Sequence, residues 1–243
     1  FGIRWYSLSY IFGFIYFYLF AKKNLQYFNL NKKLLDDLFF YQFISIIIGG
    51  RLGYVIFYNF DYYILNPLDI IKVWEGGMSF HGALIGIILG THIFSVKKNI
   101  STFFFLDVIA CVSPIGIFFG RIANFINGEL IGKVTEVPWG VIFPSIDMIS
   151  RHPSQLYEAL LEGLILFLIL IITIFKYQYK IGFISSLFLI FYGIFRIICE
   201  QFREPDPQIG YLINNFSMGT ILSMVMILSG FFVLFILKKK YEK

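Results

Sequence analysis

Charge is scarce in this 243-residue chain: Asp, Glu, Lys and Arg make up 14% of it, against about a quarter in an ordinary soluble domain. Hydrophobic residues supply 58% and aromatic residues 21%. Such a chain cannot cover itself with polar groups, which excludes a soluble globular protein and indicates an integral membrane protein. Cysteine is also rare. Cys111 and Cys199 lie in apolar runs with no Cys or His at metal-ligand spacing, so both read as core residues rather than redox or nucleophilic groups. There is no nucleophile elbow, no phosphate-cradling loop before a Lys-Ser/Thr pair, no Cys-x-x-Cys and no His-Glu-x-x-His. Neither a metal nor a cofactor is expected. A basic start with a short apolar core and a small-residue cleavage site is missing, so no cleaved signal peptide is expected. The chain opens on Phe1 rather than methionine, and its true start is expected to be missing or processed.

Apolar runs dominate what remains: Trp5 to Phe20, Leu38 to Phe60, Met78 to Phe94, Thr102 to Phe125, Ala159 to Phe175, Ile181 to Cys199 and Met218 to Leu237. With about 20 residues needed per crossing, the pattern predicts an all-α polytopic bundle of seven transmembrane helices. It forms one membrane domain over 1–243, with no soluble module and a polar extracytoplasmic segment at about 127–154. Loops one, three and five and the C-terminal tail hold Lys22, Lys23, Lys32, Lys33, Lys97, Lys98, Lys176, Lys180, Lys238, Lys239, Lys240 and Lys243. The positive-inside rule puts those loops in the cytoplasm and the N-terminus outside. The net charge of +5 is therefore read by membrane side and not as a nucleic-acid surface.

Arginine follows a different rule from lysine. Arg4, Arg51, Arg121, Arg151, Arg196 and Arg203 all fall in spans or on the outer side. The planar guanidinium fork binds phosphate or carboxylate in a bidentate way and tolerates partial desolvation. Arg4 and Arg203 fit interfacial snorkelling as well as binding, whereas Arg51, Arg121 and Arg196 lie deeper and are expected to hold an anion.

The densest polar stretch inside apolar sequence is Gly120-Arg-Ile-Ala-Asn-Phe-Ile-Asn-Gly-Glu-Leu-Ile-Gly132. Arg121 and Asn124 share a helix face there, Asn127-Gly128 reads as a helix end with a left-handed cap, and Pro114 is expected to kink the span. Tyr192, Arg196, Glu200 and Arg203 recur at four, four and three residues, a polar stripe in which Glu200 can neutralise Arg196. His81, between glycines in Glu75-Gly-Gly-Met-Ser-Phe-His-Gly, is the most suggestive titratable group, with a structural role equally open. Arginines beside a histidine suit an anionic lipid head group and a proton transfer next to it. Residue types alone leave open an enzyme, a lipid transporter and a structural membrane subunit.

The 120–132 stretch resembles the signature of the bacterial prolipoprotein diacylglyceryl transferases. Arg4-Trp5-Tyr6, Gly50-Arg51-Leu-Gly-Tyr54, Trp74-Glu-Gly-Gly-Met-Ser-Phe-His81-Gly, Arg151-His-Pro-Ser-Gln-Leu-Tyr157-Glu158 and Tyr192-Gly-Ile-Phe-Arg196 with Glu200 and Phe202-Arg-Glu-Pro-Asp206 resemble the same family, in the same order. Ala83 departs from it, where a second glycine commonly follows His-Gly. The resemblance implies transfer of the diacylglyceryl group from phosphatidylglycerol to the lipobox cysteine of a pre-lipoprotein signal peptide, in a bacterial cytoplasmic membrane with the site facing the periplasm. It implies Arg121, Arg196 and His81 as catalytic, with Tyr6, Arg51, Asn124, Asn127, Glu129, Gly132, Tyr192 and Glu200 binding substrate. The 128–153 segment is expected to dock the signal peptide or to cap the site.

Overall fold

The structure, a computed structural model, describes residues 5–177, 180–205 and 216–241, with the side chains of Ser7, Glu75, Phe80, His81, Lys240 and Tyr241 outside the description. Arg4 and Asp206, both quoted above, lie outside the described residues. The fold is helical: α1 (Trp5–Lys23), α2 (Lys32–Tyr58), α3 (Phe60–Leu65), α4 (Phe80–Lys98), α5 (Thr102–Asn127), α6 (Ser154–Glu158), α7 (Leu166–Lys176), α8 (Phe183–Glu200) and α9 (Met218–Tyr241). A π-helical segment, Ala159–Ile165, joins α6 to α7 without a break. A two-residue hairpin ribbon pairs β1 (Val141–Ile142) with β2 (Ser150–Arg151).

Among the described residues, five helices are long and apolar enough to cross a membrane: 32–58, 102–127, 154–176, 183–200 and 218–239. This is a multi-pass membrane protein. The α1 and α4 helices match the first and third apolar runs and have 19 residues each.

Contacts divide the chain into two compact units, Asn24–Leu106 and the remainder, Phe1–Lys23 with Asp107–Lys243. In the first, α2 and α4 pack backbone to backbone through small residues four apart: Ser45, Gly49 and Gly53 on one helix, Gly82, Gly86 and Gly90 on the other. A Cβ on Gly49 would stand 2.7 Å from the Gly86 Cα, and one on Gly53 would stand 2.6 Å from the Gly82 Cα. Between helices in lipid, where apolar burial gives no advantage over lipid tails, such close approach is what van der Waals packing requires. Side chains at the helix ends set the limits of the pair. Asn31 accepts from the Leu34 N–H at 2.8 Å, and Ser79 accepts from the Gly82 N–H at 3.1 Å. The Ser79 N–H donates in turn to the Gly50 carbonyl at 2.8 Å, tying the α4 start to α2.

In the second unit, α8 and α9 interlock through Gly193, where a Cβ would lie 2.8 Å from the Ser223 carbonyl oxygen, and Gly230, at 2.9 Å from that of Ser186. The buried carboxylate of Asp107 on α5 accepts from the Gly182 and Ser185 N–H groups at 2.6 and 2.7 Å. It supplies the α8 N-terminus with a cap from another helix. Gly163 meets Phe118, whose Cα would lie 2.9 Å from an added Cβ. Pro114 sits inside a continuous α5.

Replacing Gly86 by leucine is expected to destabilise the protein by about 1–3 kcal/mol through overpacking. Gly116→Ala, with nothing within 4 Å of the new Cβ, is expected to be neutral or to stabilise by about 0.5–1 kcal/mol. Thermal unfolding in detergent compares the two, and equal stability loss would sink the close-packing account.

Candidate active site

The α5 helix ends as its sequence predicts. Gly128 takes φ +67°, its N–H reaches the Phe125 carbonyl at 3.1 Å, and the Glu129 N–H reaches that of Asn124 at 2.9 Å. This turn swings Glu129 back over the last turn of α5. There the Tyr6 hydroxyl of α1 donates to Glu129 and Asn124 donates to the same hydroxyl. The amides of Asn124 and Asn127 stand 3.5 and 3.4 Å from the Glu129 carboxylate. Four of the expected substrate-binding residues thus form one cluster.

One turn earlier on α5, Arg121 enters a charged network drawn from three helical segments. Its Nη2 donates to Glu162 at 3.1 Å, and its Nε lies 3.0 Å from Glu158 Oε2. That second contact is off the hydrogen-bond direction and leaves both atoms without an aligned partner among the described residues. Arg196 of α8 reaches the same two acids, at 2.9 Å to Glu158 and 3.3 Å to Glu162, and pairs one turn on with Glu200, as the stripe spacing predicts. Arg203 reaches Glu158 at 3.3 Å and is buried. Glu200 also accepts from Ser217 at 2.7 Å. Three arginines face three glutamates, so the network is formally neutral. Glu158 and Glu162 are fully buried, while the side chains of Arg121 and Arg196 keep 16% and 11% of their surface. Tyr192 stands within the field of Arg121, Arg196, Glu158 and Glu162, and Tyr6 feels Arg121.

Neither Glu158 nor Glu162 was singled out as a site residue above. Glu158 was quoted only inside a motif, and Glu162 lies in the fifth apolar run. The signal was present, since a carboxylate inside a span demands a cationic partner or a cavity. The π-helical segment holding Glu162 is a second sign, as such turns are rare and frequently mark functional positions.

Gly132 occupies a crossing of backbones. It bridges to Arg203, and an added Cβ would lie 2.8 Å from both His152 Cβ and the Phe202 carbonyl oxygen. The Lys133 N–H donates to that carbonyl at 2.8 Å, and the Glu204 N–H donates to Ile131 O at 3.1 Å. These bonds hold the 131–152 segment against the end of α8. Above it, Trp139 Nε1 donates to the Tyr157 hydroxyl at 2.8 Å, and Arg151 pairs with Asp147 at 2.6 Å and Glu204 at 3.6 Å.

Arg51 and His81 belong to the Asn24–Leu106 unit. Arg51 is 5% exposed, and its donors go to the carbonyls of Ile70 (2.8 Å), Gly76 (2.5 Å), Gly77 (3.2 Å) and Asp69 (2.6 Å). Tyr63 covers its face with the ring centroid at 5.1 Å. Gly77, at φ +74°, leaves no room for a side chain beside Tyr54 and Arg51. The guanidinium expected to hold an anion is thus already satisfied by the loop that follows α3. His81 lies in the first turn of α4, and its side chain lies outside the description.

The fold and this network define a class: multi-pass helical membrane proteins with a charge-paired arginine centre. A family model described as prolipoprotein diacylglyceryl transferase matches residues 1–236. Curated proteins named phosphatidylglycerol--prolipoprotein diacylglyceryl transferase are similar along nearly the whole chain. That of Ehrlichia canis is 52% identical over 95% of this chain and 90% of its own length. Those of Rickettsia akari and Rickettsia typhi are 50% identical, over 96% and 99% of this chain and 92% and 94% of theirs. The chain belongs to the prolipoprotein diacylglyceryl transferase family.

Glu158→Ala, which leaves three arginines short of a buried counter-charge, is expected to cost about 3–5 kcal/mol of stability, read by thermal unfolding in detergent. An unchanged midpoint would show the network to be solvated. The hydrogen bond from Arg151 holds the Asp147 carboxyl below its ordinary range. A depressed folded value gives stability that is complete at neutral pH and lost as pH falls through that value, below about 4. Amide exchange at Ile149 and Arg151 is expected to be slow and constant, after correction for intrinsic rates, at neutral and mildly acidic pH and to lose protection only once pH falls below the ordinary carboxylate range, about 4.

Proposed function

We propose that this chain transfers the diacylglyceryl group of phosphatidylglycerol to the lipobox cysteine thiol of a pre-lipoprotein, the first step of lipoprotein maturation. A C–S bond forms at the glycerol carbon as its C–O bond to phosphate breaks, the thiol gives up its proton, and glycerol phosphate leaves. One observation carries this reading. Guanidinium groups from two helices, Arg121 and Arg196, share the same two buried carboxylates beside the Tyr6, Asn124 and Glu129 cluster.

Charge develops on the leaving phosphate, and donors already fixed in direction stabilise it without reorganising. Glu158 and Glu162 fix the forks of Arg121 and Arg196, and the part of each guanidinium left uncovered takes the phosphate oxygens. The misaligned Arg121 contact to Glu158 fits this role, since catalytic hydrogen bonds are often imperfect before substrate arrives. Asn124, Asn127, Glu129 and Tyr6 orient the glycerol hydroxyls, while Tyr192 and Glu200 line and hold the Arg196 side. Gly132 serves by letting the 131–152 segment close on α8. A free thiol near pKa 8.5 must become a thiolate, and His81 is the base in this reading. Arg51 acts at one remove, bracing the loop that leads to His81.

The seven spans are α1, α2, α4, α5, the continuous α6 to α7, α8 and α9. Lysines at alternate helix ends, among them Lys22, Lys23, Lys97, Lys98 and Lys176, support a cytoplasmic side there. The site then opens to the periplasmic face of the bacterial inner membrane. The 131–152 segment, with Trp139 60%, Val134 57% and Met148 75% exposed, offers an apolar surface to the signal peptide.

Transfer of labelled diacylglycerol from phosphatidylglycerol to a lipobox peptide tests the proposal. Arg121→Ala and Arg196→Ala are each expected to lose roughly 100- to 1,000-fold, about 2.7–4 kcal/mol of transition-state stabilisation. Arg121→Lys is expected to fail as well, because a point charge lacks the fork, while Lys176→Ala keeps its activity. Wild-type rates from arginine variants shown to be folded would remove the arginines from the mechanism. For His81→Gln, activity retained across pH 6 to 8 would end the general-base role.

A further inference from the structure

Within the Asn24–Leu106 unit, the small-residue packing of α2 against α4 stops at Ser45 and Gly90. At the next positions at the same four-residue spacing stand Tyr41 and Phe94, with ring centroids 4.9 Å apart. Phe94 is fully buried against Phe105, also at 4.9 Å. Beside these rings lies an open groove of about 310 Å³ lined by Phe40, Tyr41, Ile44, Ser45, Gly90 and Ile93. Its walls are hydrocarbon apart from the Ser45 and Tyr41 hydroxyls, and Phe40 and Ile93 are 63% and 61% exposed.

One end of this groove carries a positive rim. Lys97 Nζ donates to the Tyr41 hydroxyl at 2.9 Å and lies 5.6 Å from the centroid of that ring. Lys98 pairs with Asp37 at 2.5 Å and lies 5.5 Å from the Phe94 centroid. Lys33 and Lys97 both act on Asp37 through charge. The rim thus brings three lysines against Asp37. An apolar slot of this size, at the lower end of ligand pockets, excludes charge and accepts a hydrocarbon chain. Lysines beside it, held by tyrosine and aspartate, are placed where an anionic head group would sit when its tail occupies the slot.

We propose that this groove is a binding site for an anionic phospholipid, one acyl chain lying between α2 and α4 and its phosphate held at the rim by Lys33 and Lys97. Neither the charge network around Arg121 nor its chemistry is involved, so the site acts as a lipid anchor for this helix pair. The head group is recognised by charge rather than shape, because an ammonium is a point charge without the guanidinium fork.

Native mass spectrometry of the delipidated full chain, with phosphatidic acid and phosphatidylcholine of matched acyl chains, tests this. Phosphatidic acid is used because it is not the donor in the proposed reaction. A preference for phosphatidic acid is expected, falling roughly fivefold for each of Lys33→Gln and Lys97→Gln. Ile93→Trp, which fills the slot from an exposed position, is expected to reduce binding of both lipids while transfer activity persists. An equal affinity of the wild type for the two lipids would show ordinary annular contact and overturn the proposal. So would a preference unchanged in the double lysine variant, which would assign the bound lipid to the arginine network. Loss of lipid binding only in Arg121→Ala would do the same.

Discussion

Burying Glu158 is the constraint on which the rest of the charged centre depends. Moving one carboxylate out of water costs about 20 kcal/mol in the idealised limit and several kcal/mol after relaxation, and this one has no exposed surface at all. Three arginines therefore converge on it, from α5, from α8 and from the residues just past α8. Satisfying one acid thus ties α5 and the C-terminal end of α8 to α6, segments distant in sequence. Glu162 repeats the demand for Arg121 and Arg196, and Glu200 takes the remaining Arg196 fork together with Ser217. Such a network adds little net stability over apolar packing but is intolerant of losing a member. That asymmetry suits a site whose geometry matters more than its stability.

The remainder of the fold is held by a different force. Where no charge enters, helices meet through missing side chains: Gly49, Gly53, Gly82 and Gly86 in one unit, Gly163, Gly193 and Gly230 in the other. Dispersion between closely approached backbones replaces the hydrophobic effect, which lipid tails cancel. Polar backbone at helix ends is then met by specific devices. Asp107 caps α8 from α5, and Arg51 donates to four carbonyls of the loop that follows α3.

Arginine and lysine divide this labour as their chemistry dictates. The described arginines sit in directed networks that use the geometry of a planar fork with several donors, at Glu158 and Glu162, at the 69–77 carbonyls, and at Asp147. The lysines gather at helix ends and rims, where a single mobile charge is enough. Arg51 shows that a buried arginine in a span need not await a ligand. Its partners are backbone carbonyls, which no reading of side-chain types brings into view.

The apolar runs, the Gly128 cap, the spacing that pairs Arg196 with Glu200, and membership of the family through the 120–132 stretch were all legible in the order of residues. Each depends on neighbours within a few positions, and helix periodicity and cap chemistry are local. The junction of Tyr6 with Asn124 and Glu129, the sharing of Glu158 by three arginines, and the satisfaction of Arg51 by its loop were not legible. They join residues up to 123 positions apart, and which distant partner answers a buried charge depends on how the helices pack. Glu162 stands between the two cases. Its charge in an apolar run announced that a partner must exist, and only the tertiary structure decided that the partners are Arg121 and Arg196.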